Sequence, residues 1–183
     1  MHRPDKGGQE HLVPARTRSL ILSAVFVAAV CNGMLASGIN RTLVDMPAWQ
    51  HVGAPAWAAF SQWADLRNGM ILYPLEGIGG AVLSIVAAIL FYYNRRAMTR
   101  SEAVPLYAAA LLALGGMLVT TQAAPIMLGT SHLSDPVRLQ QALNGFYFWG
   151  GVRAVFQFLA FCANLWSLVA VSRQAAIWQG AVD

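Results

Sequence analysis

Hydrophobic residues gather in four long runs separated by polar breaks. The runs cover residues 19–39, 70–93, 103–124 and 146–171. Each holds about 20 residues or more, the length that a helix rising 1.5 Å per residue needs to cross roughly 30 Å of hydrocarbon. The pattern predicts an all-α integral membrane four-helix bundle with no soluble domain left over. Residues 1–18 read as a polar, flexible cytoplasmic tail, residues 19–173 as the bundle and residues 174–183 as a second cytoplasmic tail. The first run follows basic residues, as a secretory leader does. It is too long for a leader core, and no clear cleavage site follows it.

The breaks differ in character. Residues 94–102, NRRAMTRSE, make a short basic turn, whereas residues 40–69 and 125–145 form longer outer loops. In the first outer loop, Pro55 suits the first turn of a helix and Asn68-Gly69 is a natural stop. Trp57, Phe60 and Trp63 recur between them at three-residue spacing. This predicts a short amphipathic helix over residues 55–67, lying at the membrane surface where an indole satisfies both its apolar ring and its N–H. Pro74 leaves two starts open for the second span: Met70 with a slight kink, or Tyr73.

Composition agrees with the runs. The chain is 57% hydrophobic and 11% charged, against about 25% charged in soluble domains. Its net charge of +4 comes from basic residues clustered at helix ends, a pattern that sets topology and does not suggest a nucleic-acid partner. Arg3, Lys6, Arg16, Arg18, Arg95, Arg96, Arg100 and Arg173 fall on one side, and Arg41, Arg67 and Arg138 on the other. The asymmetry puts both termini in the cytoplasm, in a bacterial inner membrane, with the longer loops outside. Cys31 and Cys162 lie at different depths in apolar runs and read as free thiols.

Polar residues inside apolar runs are the candidates for chemistry. Arg153, Gln157 and Asn164 are spaced four and seven apart, so they share one helix face over roughly 16 Å. A charge in hydrocarbon costs at least about 2.5 kcal/mol, so that face must meet protein or water. Glu76 lies at similar depth in the second span, with Asn32 and Gln122 in the same half of the bundle. Two readings follow: a buried Glu76–Arg153 pair that fixes helix register, or an outward-opening polar pocket for a small ligand. Tyr73, Tyr147, Phe148 and Trp149 form an aromatic belt, or line that pocket for a flat ligand such as a quinone. Stripes of small residues, Gly77, Gly80, Ser84 and Ala87 in the second span and Ala109, Ala113, Gly116 and Thr120 in the third, let helix backbones approach closely. His51 and His132 fall in the outer loops. A metal site joining them to Asp45, Asp65 or Asp135 has weak spacing support. No metal and no cofactor are expected.

The segment from Gly38 to Pro47, where a proline closes a short polar stretch after the first run, resembles a family of small four-span membrane proteins that includes anthrone oxygenases. The start of the fourth run, with Asn144, Trp149 and Arg153, is similar too. The likeness implies oxidation of an apolar tricyclic aromatic by molecular oxygen without an evident cofactor. It implies that Arg153 and nearby polar residues hold a phenolate and that His51 removes a proton. The alternatives are a non-enzymatic subunit packed against a membrane partner or a second copy, a binder of quinone or another small ligand, and a half-transporter that must dimerise.

Overall fold

The computed structural model describes residues 15–36, 38–96 and 99–179. Four helices are long and apolar enough to cross a membrane. We label the helices α1 (Ala15–Ala36), α2 (Met46–Val52), α3 (Ala54–Trp63), α4 (Gly69–Tyr93), α5 (Arg100–Gly129) and α6 (Pro136–Gln179). Among the described residues there is no strand. The long helices α1, α4, α5 and α6 form a closed ring, with α1 packed on α4 and α6, and α5 packed on the same two. The predicted tails lie mostly outside the described residues. The helices themselves begin at Ala15 and continue to Gln179.

Local chemistry explains where two of the long helices begin. Thr99 caps α5 reciprocally with Glu102, whose Oε2 accepts the Thr99 N–H at 2.8 Å. Glu102 is fully buried, 3.8 Å from Arg18 of α1, so the basic turn also pins two helices together. Asp135 Oδ1 accepts the Val137 N–H at 3.1 Å just ahead of α6, which starts at Pro136. That start is ten residues before the expected 146. The third helix outruns its expected end at 124 and carries Pro125 within it. The second long helix starts at Gly69 and contains Pro74, which resolves the two starts in favour of the longer helix.

The first outer loop is helical throughout and folds back over one end of the ring, here called the loop end. Two wide π-helical turns flank its helices, Arg41–Asp45 before α2 and Ala64–Asn68 after α3. Gly53 separates α2 from α3 with φ +97°, a conformation that side chains rarely tolerate. Helix α3 ends at Trp63, short of the expected 67, and Trp57 does not face outward. It is fully buried, its ring 5.9 Å from that of Phe146, among Met46, Ala58, Met127 and Leu143. Phe60 and Trp63 remain exposed.

Midway along the ring the buried side chains are small or polar, while the end away from the loop packs Ile21, Val25, Phe91, Leu106 and Val171. Ala81, Ala113 and Ala160 meet at the ring's middle. Asn164 donates to the Ala160 carbonyl at 2.9 Å and to Ser84 Oγ at 3.4 Å, crossing from α6 to α4. A Cβ on Gly80 would come within 3.1 Å of the Asn32 amide and 3.2 Å of the Cys31 Cβ, so glycine sets the α1–α4 approach. Many large apolar side chains of the long helices turn the other way. Phe26, Leu75, Val82, Leu111, Leu118, Val155 and Trp166 are exposed on the outside of the ring. Cys31 and Cys162 are free.

Candidate functional site: a cavity at the loop end

A cavity of about 440 Å³ opens among α4, α5 and α6 under the folded-back loop, within the range of roughly 300–1,000 Å³ usual for ligand sites. Helix α4 contributes its face from Gly69 to Ile78, α5 its face from Met117 to Leu128, and α6 Phe146, Arg153 and Gln157. Each stretch covers about 13–16 Å of helix, so the cavity reaches well into the bundle from its loop end. Most of the wall is apolar: Leu66, Met70, Ile78, Met117, Met127 and Leu128. The polar groups are few: Arg41, Asp65, Tyr73, Thr120, Thr121, Arg153 and Gln157.

Arg41 and Asp65 meet fork to fork, Nη1 to Oδ1 and Nη2 to Oδ2, both at 2.6 Å. Each residue comes from one of the two π-helical turns, and such wide turns concentrate at functional sites. The Arg41 guanidinium also lies 5.4 Å from the centre of the Phe146 ring, within reach of a cation–π attraction. Asp65 is buried and both its oxygens are engaged. It is therefore unavailable for the metal site that sequence spacing allowed. Among the described residues, no three His, Cys, Asp or Glu side chains converge.

Arg153 stands beside this pair without joining it. Arg41, Asp65 and Tyr73 are the ionisable groups that act on it electrostatically. Among the described residues no hydrogen bond or ion pair engages it, and its Nε is buried without a partner. A guanidinium offers five donors. Here they meet a cavity whose nearest carboxylate is already spoken for.

No protein-family model, curated protein or solved structure matches this chain. The geometry alone therefore carries the site.

Of the residues singled out by sequence, the structure gathers Arg153, Gln157 and Tyr73 around the cavity. It puts Glu76 elsewhere. No ion pair links Glu76 to Arg153. Glu76 lies buried on the α4 face that carries Gly80, Ser84 and Ala87, and it acts electrostatically on Cys31 of α1. Equal depth in two helices does not imply contact, because side chains about 100° apart on one helix meet different neighbours. Asn32 is also buried against α4, its amide donating to the Ala28 carbonyl at 2.8 Å. His51, in the last turn of α2, and Gln122, on α5, are exposed and lie off the cavity. Trp149 packs against the Trp57 cluster with its ring 5.1 Å from Phe148. Sequence did not foresee the Arg41–Asp65 pair: Arg41 read as a loop charge and Asp65 only as a possible metal ligand, and the fold-back of the loop brings them together over the bundle.

Proposed function

We propose that this chain is a multi-pass membrane protein whose cavity binds a small, largely apolar molecule by its polar end. Four apolar helices that expose many large hydrophobic side chains on their outer faces support the membrane part, because helices that are apolar on their outer faces need lipid or protein around them. The asymmetry of basic residues puts the termini in the cytoplasm and the cavity in the outer half of the bilayer. Phe60 and Trp63 then meet the interface from the outer side of α3.

One observation carries the binding part: a guanidinium with no protein partner, Arg153, in a mainly apolar cavity. A buried charge left unpaired is costly, and a polar ligand end repays that cost. A phenol-bearing polycyclic aromatic, as the anthrone oxygenase resemblance implies, is one molecule of this kind. Oxidation of such a ring begins with loss of a proton. His51 is off the cavity and Asp65 is held by Arg41, so binding is supported here and oxygenation is not.

The test is direct. Protein purified in mild detergent is extracted and its small molecules are identified by mass spectrometry, beside an Ala124→Trp variant that fills the cavity. We expect an apolar compound to co-purify with the native chain and to fall by an order of magnitude or so with the variant. A ligand-free native protein that oligomerises supports instead the subunit reading.

A further inference from the structure

Arg41, Asp65 and Leu66 line the loop end of the cavity, where two 2.6 Å bonds join the first two as a roof. Every lining residue that is exposed belongs to α4 or α5: Met70, Tyr73, Pro74, Ile78, Thr121 and Leu128. Those from α6, and those of the roof, are buried or half-buried. An opening between α4 and α5 with a mainly apolar rim faces acyl chains if the helices span a bilayer. The charges in the cavity also leave a remainder. Two guanidiniums and one carboxylate sum to a single positive charge, and that charge is on Arg153. A monoanion cancels it, a neutral head leaves it, and a phosphate monoester would overshoot it. The planar fork of a guanidinium matches a carboxylate best, as Arg41 and Asp65 already demonstrate in the same cavity.

We infer that the cavity loads sideways from the bilayer, between α4 and α5, and that its occupant is a membrane-dissolved amphiphile with a single carboxylate, its head at Arg153 and its hydrocarbon between Ile78 and Met117. This rests on the binding function proposed above and adds the class of ligand and its route.

The full chain in vesicles is offered a long-chain fatty acid and its methyl ester, each carrying a photoreactive diazirine near the tail end. Labelling is quantified in competition with the unlabelled compound, and the labelled residues are mapped by mass spectrometry. The native chain should prefer the acid. Arg153→Gln should lower acid binding about ten- to a hundredfold, the effect of losing a charge-assisted pair, while ester binding stays within a factor of about two. Arg153→Lys keeps the charge and should retain most of the preference, which separates lost recognition from lost folding. Label should fall on the facing surfaces of α4 and α5. Equal binding of acid and ester to the native chain overturns the carboxylate while leaving the cavity an apolar site. Label confined to the loop residues above the roof overturns the lateral route. No saturable labelling by either compound overturns this inference and the binding function together.

Discussion

Asp65→Ala is the most informative single change. In the native chain its carboxylate takes two bonds of 2.6 Å from Arg41, and it is also the negative group acting on Arg153. Charge centres about 4 Å apart attract by ~4 kcal/mol at an effective dielectric constant near 20. Removing one partner of a buried pair costs about 3–5 kcal/mol, because the other charge is stranded. The Asp65 side chain is only 5% exposed but that of Arg41 is 22% exposed, so water recovers part of the loss and the lower figure, about 3 kcal/mol, applies. For a chain of this length each kcal/mol moves the midpoint by about 2–4 °C, giving a drop of roughly 6–12 °C. Thermal unfolding in detergent, followed by circular dichroism and by size exclusion after heating, measures it. Two further variants check the cause. Arg41→Met with Asp65→Leu should recover most of the stability, since a well-packed apolar pair avoids the desolvation cost. Asp65→Ala in an Arg153→Gln background should cost less than in the native chain, because one of the two stranded guanidiniums is gone. The reasoning fails if Asp65→Ala costs less than about 1 kcal/mol, or if the double apolar variant is no more stable than the single one.

Trp57→Ala should destabilise by about 3–5 kcal/mol, as for other large core truncations, because the indole is fully buried against Phe146; a loss below about 1 kcal/mol in the same melt would mean that α3 lies free of the bundle. Gly53→Ala should cost about 1–3 kcal/mol through backbone strain at φ +97°, with the loss concentrated in faster hydrogen exchange of α2 and α3, whereas unchanged exchange there would contradict the bend. Together with the Ala124→Trp and Arg153→Gln experiments above, these separate the architecture of the roof from the recognition of a ligand beneath it.

The parts of this structure that sequence revealed are those governed by the chain's own periodicity and hydropathy. Four apolar runs became four long helices because nothing else satisfies the backbone of such runs. Arg153 and Gln157 announced themselves because a charge and an amide inside an apolar run must turn toward a polar space. The pairing of Arg153 was illegible for a specific reason. Glu76 matched it in depth, but depth fixes only one of the two coordinates that locate a side chain on a helix. The other is rotation, and rotation puts Glu76 on the buried α4 face of Gly80 and Ser84, off the cavity. Arg41 and Asp65 were illegible because 24 residues separate them in the chain. Their meeting goes with the two wide turns, which have no periodic signature, and with burial of Trp57, which the three-residue spacing of Trp57, Phe60 and Trp63 did not single out.

Proline has a further consequence at this level of the bundle. Pro74 and Pro125 carry no N–H, so the carbonyls of Met70 and Thr121, both on the cavity wall, lose their usual donors four residues on. A helix missing one rung bends there at lower cost. The two walls that border the side opening are thus the two that each contain such a compliant joint. The Asn164–Ser84 hydrogen bond lies two to three turns deeper along α4, beyond the Pro74 joint.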